Sequence, residues 1–182
     1  ASGLVPQHNV TVLLVCSSQV DAQIWAPLLQ ESGWLATAPT PEAIAIGAST
    51  TWMRAISEGS SAKRPWQLLV GCGCFEHWAP WAEIGMATAG TATEQLVGLG
   101  HPALSLPGPG PQFKAGFARR QSRLLGGAVL PCHNPAQLAE HLTLWLAEPE
   151  RLHKLGSIGQ RRMGPPGGSD AIAALVEERL LG

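Results

Sequence analysis

Two glycine-led segments carry the residue types best suited to chemistry. Gly90–Thr91 and Gly108–Gln112 each follow a short apolar run and each precede a stretch with helical periodicity. The amino end of a helix carries unpaired backbone N–H groups and a positive dipole, so it binds anions. Both segments would lie after the carboxyl ends of strands, at the edge where an open parallel α/β sheet binds its ligand. The pattern therefore predicts a site for a phosphate-bearing ligand.

The first segment allows two interpretations of Glu94. Thr91 and Glu94 have the spacing of a capping box, in which the threonine hydroxyl and the glutamate carboxylate close the start of the helix. Alternatively, Gly90 lets the backbone approach a ligand closely, and Glu94 accepts hydrogen bonds from ribose hydroxyls. The free amides of Ala92 and Thr93 would then hold phosphate. One carboxylate cannot fully serve both purposes, and the residues alone leave both interpretations open.

In the second segment, two glycines precede a proline at the predicted first helical turn. Gly108 and Gly110 suit either a stiff strand-to-helix turn or a close approach of backbone to a ligand. Gln112 offers a neutral donor and acceptor for sugar hydroxyls. The face of the following helix that is predicted to pack on the sheet holds Phe113, Phe117 and Leu124.

A third candidate is the turn Gly71–Cys74, with His77 nearby. A Cys-x-Cys spacing with no second ligand pair is unlike a zinc site, so we expect no metal here. The glycines could instead bring backbone amides and Phe75 beside a flat base, with a plain tight turn as the alternative. No histidine has a carboxylate or nucleophile at a readable spacing, so the sequence indicates no catalytic triad.

Alternating strand-like and helix-like segments position these candidates. The predicted strands are Val10–Val15, Trp66–Val70, Ile84–Ala87, Ala103–Leu106 and Ala128–Leu130. The predicted helices run from a cap at Ser17–Ser18 to Glu31, then Thr51–Glu58, Phe75–Ala82, Thr91–Leu99, Pro111–Leu125, Pro135–Ala147, Pro149–Arg162 and, capped by Ser169, to Leu181.

Bulk properties narrow the class of protein. The 182 residues suffice for one domain, and twelve basic against thirteen acidic side chains, with no basic block, argue against a nucleic-acid surface. No apolar run reaches the length that spans a bilayer, and the first residues do not resemble a signal peptide. The four cysteines do not suggest a disulfide framework. We expect a cytoplasmic protein, at most peripheral to a membrane.

Three blocks make the chain recognisable: MATAGTATEQLVGLG at 86–100, LPGPGPQF with FARRQSRLLG within 106–126, and GQRRMGPPG at 159–167. Here the sequence resembles the lipid-A-disaccharide synthase-related family of two-domain, GT-B glycosyltransferase-like proteins. The resemblance runs from about Val10 to the end and covers the carboxy-terminal half of such a protein. It implies a Rossmann-like parallel sheet flanked by helices, forming a single nucleotide-sugar-binding domain over residues 1–182.

The resemblance also implies a function: the donor-binding half of an inverting transferase that moves a hexosamine-like sugar from a UDP-sugar to a lipid-linked acceptor. It needs no metal or other cofactor. The general base would come from the acceptor domain, so we assign no catalytic residue and expect the chain alone to be inactive. The implied contacts are Gly90, Thr91 and Thr93 at the diphosphate, Glu94 on the ribose, Phe75 at the uracil, and Gln112 with Phe113 near the sugar.

The family's acceptor domain and the first strand of this half have no counterpart here. Val10–Val15 matches the second strand, so a gap is expected in the middle of a doubly wound sheet. Rearranged pairing, the residues before Val10, or a strand exchanged with a second copy of the chain would fill it. Two other functions stay open: a nonenzymatic nucleotide-binding or assembly module, and a UDP-sugar 2-epimerase-like protein.

Overall fold

A computed structural model describes residues 10–54, 66–88, 90–108, 110 and 114–181. The chain is an α/β protein that divides into two compact units, Ala1–Trp81 and Ala82–Gly182. The first unit contains a mixed four-stranded sheet, and the second contains a parallel three-stranded sheet. The predicted α/β class is confirmed, while the antiparallel strands of the first unit were not expected.

In the first unit, β1 and β4 are parallel, and β3 runs antiparallel to both β4 and β2, in the order β1, β4, β3, β2. The strands are β1 (Thr11–Cys16), β2 (Leu35–Thr37), β3 (Thr50–Arg54) and β4 (Trp66–Cys72). The helices are a 3₁₀ turn (Ala22–Trp25), α1 (Ala26–Glu31), α2 (Pro41–Ala45), α3 (Phe75–Trp78) and a second 3₁₀ turn (Ala79–Trp81).

Strand β4 is the centre of this unit. Its residues 68–71 are all buried, as expected for an apolar run covered on both faces. Leu68 and Val70 pack in a cluster with Trp34 and Trp52, whereas Leu69 packs in a separate cluster with Trp78 and neighbouring residues. The alternation of side chains along a strand explains why neighbouring residues join different clusters.

Two local predictions for the first unit are wrong. Residues 51–54 form a strand and not a helix, because the β-branched and aromatic run that begins at Thr50 pairs with β4 over its whole length; residues 55–58 lie outside the described part. Ser17 does not cap a helix, since its hydroxyl accepts from the amide of Gln19 within a turn. Asp21 caps instead, accepting from the amide of Gln23 at 2.9 Å.

In the second unit, three parallel strands lie in the order β5, β6, β7, with Ala103 opposite both Gly85 and Val129. The strands are β5 (Gly85–Ala87), β6 (Ala103–Ser105) and β7 (Val129–Pro131). The helices are α4 (Thr91–Gly98), α5 (Ala115–Leu124), α6 (Pro135–Ala147), α7 (Pro149–Met163), α8 (Gly168–Val176) and a π-helical turn (Glu177–Leu181).

Helices α4 and α7 pack closely because α7 presents glycine to α4. A Cβ at Gly156 would overlap the carbonyl oxygen of Gly100, and a Cβ at Gly159 would collide with Val97. Val97 itself is fully buried in a cluster with Ala103 and other residues of the strands and turns. These two glycines therefore set the distance between the helices.

The last helix, α8, begins at Gly168, one residue before Ser169, which was predicted to cap it. The N-cap residue is Gly167, whose backbone is left-handed and which makes no side-chain cap bond. Ser169 therefore lies inside the helix and not at its cap. Residues 168–180 are all exposed, including Ile172 and Leu180. Among the helices of the described residues, none combines the length and the apolar character needed to cross a bilayer.

The pairing of the edge strands bears on the gap that the sequence predicts in the middle of the sheet. In the described residues, β1 is paired only with β4, and β5 only with β6. Residues 1–9, which could pair with an open edge, lie outside the described part. Closure by them, by rearranged pairing or by a second copy of the chain stays a prediction.

Candidate functional site

The candidate residues of the second unit lie at the carboxyl edge of its sheet. Strand β5 ends at Ala87 and leads to α4, while β6 ends at Ser105 and leads to the Gly108–Gly110 turn. The amide of Leu106 donates to the Ala87 carbonyl at 3.1 Å, which extends the β5–β6 ladder to this edge. Since the strands are parallel, both glycine segments emerge from the same side of the sheet, as the sequence predicts.

Gly90 occupies a backbone conformation that other residues rarely adopt. Its φ of 110° and ψ of −171° fall in a region that is essentially restricted to glycine. An added Cβ would meet no atom of the described residues within 4 Å. Among the described residues, the requirement for glycine therefore comes from the backbone angles and not from crowding.

The first turn of α4 has two backbone amides available to a ligand. The carbonyl of Gly90 accepts from the amides of Thr93 and Glu94 at 3.1 and 3.3 Å. The amides of Thr91 and Ala92 donate to no acceptor among the described residues, and both residues are exposed. The N-cap residue, Gly90, has no side chain with which to cap this helix start. An anion placed here would meet two free N–H donors and the positive end of an eight-residue helix.

Thr93 contributes differently from the two residues before it. Its side chain is fully buried, and its hydroxyl has no hydrogen-bond partner among the described residues. Its amide is engaged by Gly90. Of the predicted diphosphate contacts, Gly90 and Thr91 thus lie on the accessible side of the helix start, whereas the Thr93 side chain faces the interior.

Glu94 does not form the capping box. The N-cap residue is Gly90, one position earlier than the pattern predicts, so Glu94 stands at the fourth helical position and not at the third. Its Oε1 accepts instead from Nε2 of Gln121 at 3.1 Å. Glu94 as a whole is half-buried.

Gln121, on α5, is a functional candidate that the sequence did not indicate. It is only 2% exposed, and its Nε2 donates to both the Glu94 carboxylate and the Gly90 carbonyl, the latter at 3.3 Å. The signal that could have found it is helical spacing: Ala118, Gln121 and Leu125 are the buried positions of this helix and its end. The predicted packing face is wrong at Leu124, which is 65% exposed.

The second glycine segment is only partly described. Gly108 and Gly110 lie between β6 and α5, and both are half-buried. Gln112 and Phe113 lie outside the described residues. Helix α5 begins at Ala115, after Lys114 as its N-cap residue without a side-chain cap bond.

Phe75, the predicted uracil contact, lies in the first unit, where it opens the four-residue α3 and is half-buried. The thiol of Cys72 donates to the Val20 carbonyl at 3.1 Å, and burial together with the neighbouring Cys16 raises its pKa. Burial also raises the pKa of the Cys74 thiol. Among the residues the structure describes, no three His, Cys, Asp or Glu side chains converge as metal ligands would.

Comparison of the chain with protein-family models, with curated proteins and with solved structures finds no match. The class is therefore defined by the fold and the site alone. It is an α/β protein whose second unit presents a glycine-opened, uncapped helix start at the carboxyl edge of a parallel sheet, compatible with a Rossmann-like arrangement.

Proposed function

We propose that the chain is the donor-binding half of a GT-B-type glycosyltransferase resembling lipid-A-disaccharide synthase. It would bind a UDP-sugar, transfer a hexosamine-like sugar to a lipid-linked acceptor, and require an acceptor domain or a second copy of the chain to complete the enzyme. The observation that carries the proposal is the start of α4, where an uncapped helix end and a fixed carboxylate lie one turn apart.

The helix start suits a diphosphate. The amides of Thr91 and Ala92 can each donate a charge-assisted hydrogen bond, and the helix dipole favours the added negative charge by about 0.3–1 kcal/mol. The same groups would stabilise the departing diphosphate during transfer, which is how backbone donors lower a barrier without a metal.

Glu94 suits the ribose and not the phosphate. An ionised carboxylate only accepts hydrogen bonds, so it pairs with the donating hydroxyls of a sugar and repels an anion. Its position one turn into the helix separates it along the chain from the free amides of the first two helical residues. The donors for a phosphate and the acceptor for a sugar hydroxyl thus lie at different positions, which supports a nucleotide as the ligand over a simple inorganic anion.

A second candidate function is an assembly module without catalytic activity. It is supported by α8, whose Ile172 and Leu175 are 66% and 52% exposed, followed by Leu180 at 76%. Apolar side chains in such a row are typical of surfaces that bind another protein. The epimerase-like alternative has no observation of this kind to support it.

Calorimetry with UDP and with pyrophosphate tests the proposal. We expect UDP to bind the wild-type chain, and Glu94→Ala to weaken UDP binding about tenfold, as expected for loss of a hydrogen bond to a charged group. Pyrophosphate affinity should stay equal or rise, since the variant removes a negative charge beside the anion. Glu140→Ala is the matched control, because Glu140 is an exposed carboxylate on α6.

The donor-binding half and the assembly module predict different results in this calorimetry. Absence of UDP binding to the wild-type chain, or equal UDP affinity in Glu94→Ala and wild type, would overturn the donor-binding proposal and favour the assembly module. Loss of pyrophosphate and UDP affinity together in Glu94→Ala would show that the carboxylate supports the fold of the site and does not touch the ribose.

A further inference from the structure

The side chain of Gln121 connects two functional parts of the α4 start. Its Nε2 donates to the Glu94 carboxylate at 3.1 Å and to the Gly90 carbonyl at 3.3 Å. Both neighbours are pure acceptors, so the orientation of the amide group is determined: its nitrogen must face them. One buried side chain thus holds both the glycine turn and the carboxylate.

A buried glutamine at position 121 would destabilise the fold if its only role were to fill space. Its Oε1 is buried and has no hydrogen-bond partner among the described residues. A buried acceptor without a donor destabilises a fold, whereas an apolar side chain of the same size would fill the position without that loss. The other buried positions of this face, Ala118 and Leu125, are apolar. The amide is therefore best explained by the two hydrogen bonds that it donates.

We propose that Gln121 is a positioning residue for nucleotide binding. It orients the Glu94 carboxylate toward the ribose side and keeps it away from the free amides of Thr91 and Ala92. Without this restraint the carboxylate could rotate toward those amides, since negative charge is favoured at a helix amino end. It would then compete with the diphosphate for the same donors. This inference rests on the proposed function, because it assigns Gln121 to the same site.

The test compares UDP with 2′,3′-dideoxyuridine diphosphate, which lacks the ribose hydroxyls but keeps the base and the diphosphate. Wild type should bind UDP about tenfold more tightly than the dideoxy compound, as one hydrogen bond to a charged group predicts. Gln121→Met keeps the volume and removes both hydrogen bonds. We expect it to bring the affinity ratio of the two ligands close to one.

A purely structural role would not change this ratio, because general loosening weakens both ligands equally. Gln95→Met is the matched control: Gln95 is exposed on α4, and the same substitution there should leave the ratio at its wild-type value. If Gln121→Met does not fold, Gln121→Leu gives a second measurement, since it also fills the position with an apolar side chain and removes both donated hydrogen bonds. The same fall in the ratio is expected.

The outcomes separate the two proposals. If wild type binds neither nucleotide, the proposed function fails and this inference fails with it. If wild type prefers UDP, and the folded Gln121 variants keep that preference, only the role of Gln121 is overturned. A ratio that collapses in the Gln121 variants and persists in Gln95→Met supports both.

Discussion

Replacing Gly90 with alanine tests whether α4 begins where the proposed site requires. The backbone of Gly90 has φ 110° and ψ −171°, and nothing in the described residues lies within 4 Å of the added Cβ. The substitution therefore introduces no collision with the described residues, and its effect should come from the backbone conformation. Residues other than glycine in this region cost about 1–3 kcal/mol.

A matched substitution in the same unit calibrates that cost. Gly116 lies in the first turn of α5, and its added Cβ also meets no atom of the described residues within 4 Å. Alanine there should stabilise the protein by about 0.5–1 kcal/mol, because glycine is the poorer helix former. The two variants differ in backbone angles and not in crowding, so opposite signs are expected.

Urea denaturation followed by circular dichroism measures both effects. With a slope of about 1–3 kcal/mol per molar urea, Gly90→Ala should lower the midpoint by about 1 M, and Gly116→Ala should raise it slightly. Equal or greater stability of Gly90→Ala would refute the reasoning. It would mean that residue 90 does not hold the glycine-only conformation, and that Thr91 with Glu94 could close the helix as a capping box after all.

Two further predictions concern the frame around the site. Gly156→Ala should destabilise the protein by about 1–3 kcal/mol in urea denaturation, because its Cβ would overlap the Gly100 carbonyl, 2.9 Å from the carbonyl carbon. Gly98→Ala, at the last residue of α4 with the flexible Met163 at 3.7 Å as its nearest contact, should be neutral or slightly stabilising, because alanine is the better helix former. Burial lowers the pKa of His101, so the unfolded chain takes up the proton first as the pH falls. The urea midpoint should therefore fall as the pH drops below about 6.5, the ordinary pKa of histidine, and a midpoint in His101→Gln that falls just as steeply would contradict this assignment.

Much of the second unit could be predicted from its sequence because local and tertiary preferences agree there. Pro135 marks the first turn of α6, and a cap at Asn134 satisfies the amide of Gln137. Three glycines with positive φ lie at the predicted breaks: Gly90 between β5 and α4, Gly126 between α5 and β7, and Gly164 between α7 and α8. Hence the observed α4, α6 and α7 differ from prediction by at most one residue at either end.

The first unit was less predictable because pairing decides its structure. Leu35–Thr37 is a strand with every residue exposed, so it has no apolar alternation to reveal it. Thr50–Arg54 forms β3 because it lies between β2 and β4, the strands before and after it in the chain, and a long segment separates it from each of them. A helix can satisfy its backbone locally, whereas a strand depends on distant residues, and a single sequence does not state which ones.

The site could be predicted only as far as its backbone. Glycine before a helix signals the turn, but Glu94 matched two patterns equally well, and the choice between them depended on where the helix begins. The helix begins after Gly90, which excludes the capping box, and Oε1 of Glu94 pairs instead with Gln121, 27 residues away along the chain, on a helix face where periodicity alone predicts an apolar residue. A polar side chain at a buried helical position is therefore the feature to look for, because burial without function favours an apolar residue and the hydrogen bonds it donates reveal which group it holds.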